Sequence, residues 1–128
     1  INIVPEEAKL CLVNKIELEQ VIVNLLQNAV DALEEAKTVN PEITISLDTN
    51  LDENCLELFV KDNGPGIPSE IQEEIFKPFF TTKKVGKGTG LGMAISERLI
   101  AKYRGKLEIH ESSSKGTTFV VQLPLIED

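Results

Sequence analysis

Histidine is almost missing from this chain, and tryptophan is missing altogether: His110 stands alone. One histidine cannot supply a multi-histidine metal centre, and it leaves a self-contained catalytic triad without support. Cysteine is nearly as scarce. Cys11 and Cys55 are far apart in sequence and lie in apolar surroundings, so the expectation is two reduced, buried thiols and not a disulfide or a metal site. Bases are in deficit, with 13 Lys and Arg against 21 Asp and Glu for a net charge of -8, which argues against general binding to nucleic acid or an anionic membrane. No uncharged apolar run approaches the roughly 20 residues of a membrane span. The opening INIVPEEAKL lacks the basic and apolar segments of a secretion signal.

What is present suits one compact domain: 128 residues, 41% of them hydrophobic and 27% charged. KLCLVN (9–14) reads as a short strand. A helix is expected from about Lys15 to Lys37, where Val21, Ile22, Leu25, Leu26, Ala29, Val30 and Leu33 recur at the spacing of one buried face, and Asn40-Pro41 stops it. ITISLDTN (43–50) and CLELFVKDN (55–63) alternate as paired strands do. From Gly64 to Gly88 the regular pattern breaks. Only a small helical piece is expected there, at 69–79, so the stretch reads as a linker or a functional lid. Thr89 to Tyr103 reads as helix with Leu91, Ile95, Leu99 and Tyr103 on one face. Strands at 106–111 and 116–124, joined by a turn at 112–115, complete the chain. The order of elements predicts an α/β fold, a two-layer sandwich of a mixed sheet with helices on one face.

Four features carry chemistry. Glycine is absent from the first 63 residues; Gly64 and Gly66 then flank Pro65, and Gly86, Gly88, Gly90 and Gly92 alternate before a helix. Glycines admit close backbone approach, and a helix start favours an anion. A flexible hinge is the plainer alternative, and neither a dinucleotide fingerprint nor a P-loop is present. Lys77, Lys83, Lys84 and Lys87 form a basic run free of acids, suited to a polyphosphate, although loop lysines alone signal only a solvated loop. Asn24 and Asn28 lie one helical turn apart with Asp31 on the same side. Amide oxygens suit Mg²⁺, while a solvated boundary explains the pair equally well. Asp62 ends an apolar strand ahead of Asn63-Gly64-Pro65-Gly66, where a carboxylate could accept an amino proton from a heterocycle or simply belong to a turn.

In this order and spacing the features resemble the catalytic ATP-binding domain of two-component sensor histidine kinases, in the superfamily of DNA gyrase B subunits, heat-shock chaperones and mismatch-repair ATPases. LEQVIVNLLQNAVDAL (18–33) is similar to the N box, DNGPGIP (62–68) to the first glycine box and IFKPFFTTK (75–83) to the F box. GKGTGLGMAIS (86–96) is similar to the second glycine box and KGTTFVVQLP (115–124) to the closing strand. NAVDAL and PFFTTK look most like the nitrogen-regulation type. The resemblance implies a Bergerat-type ATP-binding fold with a mostly antiparallel sheet and a long ATP lid at about 64–88, all within one domain spanning 1–128.

The same resemblance implies roles. Asn28 would be the principal Mg²⁺ ligand, with Asn24 one turn earlier at the phosphate end as a second metal and catalytic residue. Asp62 would bind the adenine amino group, Gly64, Gly66 and Ile67 would shape the pocket wall, and Thr117 would sit near the adenine. Lys83 would reach the terminal phosphates, and Gly88, Thr89, Gly90, Leu91 and Gly92 would line the triphosphate of ATP, with ADP as product. Phe76 and Phe79 would anchor the lid. Asp31, also placed at the nucleotide, stands where many sensor kinases carry a basic residue.

Hydrolysing relatives place a water-activating glutamate where Asn24 stands, and an amide cannot act as a general base. The implied activity is therefore transfer of the γ-phosphate to a histidine. His110 sits in an alternating strand, so the acceptor is expected on a separate dimerisation domain absent from this fragment. The phosphoryl group would pass on to the receiver domain of a response regulator. The domain is expected in the cytoplasm, without direct membrane contact, even if a larger parent is anchored. Two rivals remain: a serine-directed kinase of the anti-sigma type, and a nucleotide-responsive binding module without transfer.

Overall fold

A computed structural model describes residues 2–3, 11–80 and 91–126, with side chains described from Val13 onward. Two short strands, β1 (Asn2–Ile3) and β2 (Cys11–Leu12), pair antiparallel as a sheet of their own. Helix α1 (Lys15–Glu35) follows at once, because the Asn14 side chain accepts the Glu17 N–H (3.1 Å) and caps the first turn. Its buried face is Leu18, Val21, Leu25, Ala29 and Leu33. The helix ends before Asn40-Pro41. Lys37 adopts a left-handed conformation (φ 51°), and the Thr38 N–H returns to the Leu33 carbonyl, closing the terminus without glycine.

Strands β3 (Ile43–Asn50) and β4 (Cys55–Asp62) form a hairpin whose turn ends on Asn54 at φ 51°. Two 3₁₀ turns, Ser69–Ile71 and Glu74–Phe76, stand where a short helical piece is expected at 69–79. Pro68 precedes the first of them and Pro78 follows the second. Helix α2 (Gly92–Lys102) and strands β5 (Lys106–Ser113) and β6 (Gly116–Pro124) complete the fold. The main sheet runs β3-β4-β6-β5, and every ladder described is antiparallel.

Three expectations are corrected. The first strand pairs with β1 and takes no part in the main sheet. Strand β5 runs on through Ser112 and Ser113, which pair with Thr117 and Gly116, so two serines that read as turn are strand. On α2 Leu99 and Tyr103 pack against the core as expected, but the centre of the buried face lies one position on from Ile95. Ile95 is 44% exposed, whereas Ser96 and Ile100 are buried.

The core lies between the helices and one face of the main sheet. Leu25 and Val21 of α1 and Ile100 of α2 meet Leu56, Val60 and Val121 of the central strands. Each such side chain contributes roughly 1.5–3 kcal/mol on leaving water. This layer sets the backs of α1, β4 and β6, and with them the side chains at their ends. Cys55 is free and buried, and burial pushes its thiol pKa up. His110 is exposed at a β-bulge, its ring edge-on to Phe59 with centroids 5.1 Å apart. Cys11's side chain lies outside the described residues.

Candidate functional site

Asp62 is the last residue of β4 and the one buried acid among the described residues, at 6% exposure. In register it faces Ile43 on one side and Thr117, itself buried, on the other. Its Oδ1 accepts the Gly64 N–H at 2.9 Å, which fixes the carboxylate and turns the chain away from the sheet. The next residue completes the corner. Asn63 Nδ2 donates to the Asn40 carbonyl (2.9 Å), and its Oδ1 accepts the Glu42 N–H (2.8 Å).

The wall beyond Asp62 is made at contact distance. A Cβ on Gly64 would stand 3.0 Å from Asp62 Oδ1 and 3.5 Å from Leu33. Gly66 has φ +84°, and a Cβ there would fall 2.1 Å from the Ser113 carbonyl oxygen. Gly116, at φ +139°, presses equally close to the Asp62 carbonyl. Only glycine permits such approach with those backbone angles. The tip of the β5–β6 hairpin is thereby locked onto residues 62–67. Ser112 Oγ accepts the Ile67 N–H (2.8 Å) and lies 3.2 Å from Thr117 Oγ1. Ser112 and Gly116 are structural members of this wall that the sequence reading passes over. The position of Gly116, two residues after a run of serines and at the start of the last strand, is the signal that could have found it.

Along α1 the two asparagines part company. Asn24 Nδ2 donates to Ser96 Oγ (2.9 Å) and to the Gly92 carbonyl (3.2 Å), while its Oδ1 accepts from Gln20 Nε2 (3.0 Å). Asn28, one turn on, is half-buried, and its side chain makes no hydrogen bond among the described residues. Asp31 accepts from Gln27 Nε2 at 2.9 Å. Leu91 caps α2, and its carbonyl accepts the Ile95 N–H (2.9 Å); Gly92 follows as the first helical residue.

The structure thus gathers Asp62, Gly64, Gly66, Ile67 and Thr117 into one wall, and it joins Asn24 to Gly92 across a second seam. Lys83, Gly88, Thr89 and Gly90 lie outside the described residues, as do Lys84, Gly86 and Lys87. Lys77 pairs with Glu74 at 3.0 Å. Of the two expected lid anchors, Phe76 packs edge-on to Phe119 with centroids 6.5 Å apart. Phe79 is 73% exposed at φ 66° and anchors nothing among the described residues.

No group of three or more His, Cys, Asp or Glu that could hold a metal occurs among the described residues. The amide of Asn28, without a hydrogen bond among the described residues, suits a hard cation that takes its other ligands from phosphates and water. A cavity of about 530 Å³ lies apart from these residues, lined by Phe76, Pro78, Leu107 and Ile109 among others. It lacks the buried carboxylate and close-approach backbone that converge at Asp62. No helix described is long and apolar enough to cross a membrane.

Comparison with known proteins accords with this geometry. The family model described as histidine kinase-, DNA gyrase B-, and HSP90-like ATPase matches residues 13–127. The chain is 41% identical over 119 residues to the C4-dicarboxylate transport sensor protein DctB of Rhizobium meliloti (strain 1021), covering 93% of this chain and 18% of that protein. It is 37% identical over 108 residues to sporulation kinase A of Bacillus subtilis (strain 168), covering 84% of this chain and 16% of the relative. It therefore spans less than a fifth of either relative. Among solved structures, a catalytic domain of the histidine kinase ThkA superposes with a TM-score of 0.74 at 35% identity, over 93% of this chain and 73% of that one. Full-length ShkA in complex with AMPPNP superposes with a TM-score of 0.76 at 26% identity, over 94% of this chain and 24% of that one.

Proposed function

The chain belongs to the histidine kinase-, DNA gyrase B- and HSP90-like ATPase family as a catalytic domain of the histidine kinase type, and from that premise we propose that it binds ATP with Mg²⁺ and donates the γ-phosphate to a histidine on a separate dimerisation domain. The observation that carries this reading is the buried carboxylate of Asp62, held by the Gly64 N–H beside Thr117 in a wall of close-approach glycines. A fixed acceptor of that kind orients an adenine by its amino group, and the apolar flank supplied by Leu33 and Ile67 supports the ring.

The phosphates would extend from there toward α1 and the start of α2. Asn28 would hold Mg²⁺ through its amide oxygen, and the Leu91 and Gly92 amides would face the phosphate oxygens. Lys83, Gly88, Thr89 and Gly90 belong to the same proposal, and Asp31 would border the site. When bound, the cation supplies neutralisation of phosphate charge. The protein's share is positioning, which is most of what phosphoryl transfer requires. A histidine nitrogen from the acceptor domain would attack the γ-phosphorus, the bond to the bridging oxygen would break, and ADP would leave. The described residues place no carboxylate at Asn24, so activation of water by a general base there has no candidate. That favours transfer over hydrolysis.

On this reading residues 1–128 are a single nucleotide-binding domain with a lid at about 64–88, facing the cytoplasm. The phosphohistidine would serve the receiver aspartate of a response regulator. The test mixes the domain, γ-labelled ATP and Mg²⁺ with a dimerisation domain of a sensor kinase carrying its histidine. Label that is acid-labile and alkali-stable on that histidine is the expected result. Label on serine, or none on either protein, would overturn the transfer reading.

A further inference from the structure

We infer that Asn24 is a positioning residue, a side-chain clamp to Ser96 and the Gly92 carbonyl that sets the first turn of α2 for a phosphate-bearing ligand, and not a metal ligand. The inference rests on the nucleotide-binding reading above and divides the work of the two asparagines. The amide of Asn24 has only two hydrogens, and both are committed to α2, at 2.9 Å to Ser96 Oγ and 3.2 Å to Gly92 O. A carbonyl can only accept, so the amide cannot turn over without setting two oxygens against each other.

Its own oxygen accepts from Gln20, one turn toward the N-terminus of α1. Asn28 lies one turn in the other direction, with its amide uncommitted among the described residues. A cation on Asn28 would therefore have to share Asn24's oxygen with the Gln20 amide.

Ser96 gives the second, independent observation. It is fully buried, at 0% exposure, on a helix whose neighbouring position Ile95 is left 44% exposed. Burial of a hydroxyl in place of an isoleucine side chain is unfavourable unless the hydroxyl is bonded, and the Asn24 amide supplies the bond. The rotation of α2 that puts Ser96 inside is thus tied to Asn24. That rotation fixes where Leu91 and Gly92 present their amides. Gly92 leaves room for the clamp, since even a Cβ there would only reach ordinary contact with Asn24 at 3.7 Å.

The test titrates ATP, ADP and adenosine into the wild type, Ser96→Ala, Asn24→Ala and the double variant, with Mg²⁺ and with EDTA, below each protein's melting temperature. Ser96 is fully buried and so offers no surface to ligand or metal. A clamp predicts that Ser96→Ala weakens ATP and ADP about fivefold, equally with Mg²⁺ and with EDTA. Adenosine, held at the Asp62 end, should stay within about twofold. The double variant should be scarcely worse than Asn24→Ala alone, because both changes break one unit.

Silence of Ser96→Ala, with a loss at Asn24→Ala confined to Mg²⁺, would overturn the inference in favour of metal ligation. A loss of adenosine equal to that of ATP would overturn it in favour of general loosening. Should Ser96→Ala fail to fold, Asn24→Asp decides. It keeps the size and supplies a stronger oxygen ligand but removes both donors, so the clamp predicts weaker Mg-ADP binding and metal ligation predicts tighter. If the wild type binds no nucleotide, the proposed function fails before this inference is reached.

Discussion

Around Asp62 main-chain atoms meet at contact distance and side-chain hydrogen bonds pin them, whereas between α1 and α2 side-chain hydrogen bonds lie beside the apolar core with no such backbone contact. At the first region Gly66 and Gly116 bring the loop and the hairpin tip together so closely that no side chain fits between them. At the second, Asn24 in the middle of α1 bonds Ser96 and the Gly92 carbonyl in the first turns of α2, and Glu17 near the start of α1 meets the end of α2. There the Tyr103 hydroxyl and the Lys102 ammonium both donate to the Glu17 carboxylate, and the Asn14 N–H donates to the Tyr103 oxygen (3.3 Å). A wall of backbone contacts is rigid and intolerant of substitution. A seam of side chains can be weakened one group at a time.

The largest expected effect lies in the wall. Gly66→Ala places a Cβ inside the Ser113 carbonyl at an unfavourable φ, and it should cost at least about 2 kcal/mol, read as a lower denaturation midpoint. Gly92→Ala, on the seam, meets only ordinary contacts and should leave the midpoint nearly unchanged. Equal losses at the two glycines would erase the contrast. Next is Asn28→Ala. Its amide holds nothing together among the described residues, so stability should barely move while ATP affinity falls about tenfold in Mg²⁺ and little in EDTA. Titration under both conditions checks this.

The smallest effect belongs to the helix ends. The Tyr103 hydroxyl first, and the Lys102 ammonium second, hold the Glu17 carboxyl below the usual carboxylate range. A lowered folded-state pKa contributes stability that is present above the unfolded value, about 4.3, and is lost as pH falls through the folded one. The melting temperature of the wild type should therefore exceed that of Glu17→Gln slightly near neutrality. The gap should close in acid. A gap that stays constant below about pH 4 would show that the carboxylate's charge is not what matters.

How much of this could be read from sequence depends on the kind of contact. Helix α1 and the strands β3 and β4 were legible because apolar spacing reports burial directly, and their bounds differ from expectation by at most two residues. The burial of Ser96 on α2 was not. A pattern reading assigns the buried face to the isoleucine and not the serine, and only the Asn24 amide on another helix reverses that. Ser112 and Ser113 looked like turn because their strand pairing depends on partners in β6 and on the bulge at His110.

The site residues themselves were legible as motifs, since Asp62 and its glycines stand next to one another in the chain. Their division of labour was not. Asn24 and Asn28 are the same residue type at the same helical spacing, and what separates them is contact with Ser96 and Gly92, 72 and 68 residues away. The exposure of Phe79 was equally hidden, because its companion Phe76 alone finds an aromatic partner in the core.

The most direct test of the central claim is calorimetric titration of ATP with Mg²⁺ into this domain and into Asp62→Asn. The substitution keeps the size of the side chain and an oxygen to accept the Gly64 N–H, while removing the charge that would hold the adenine amino group. The account predicts micromolar-to-submillimolar binding by the wild type and a loss of at least about tenfold in the variant, with the fold intact by circular dichroism. Equal binding by both proteins, or no binding of any adenine nucleotide to the wild type, would contradict it.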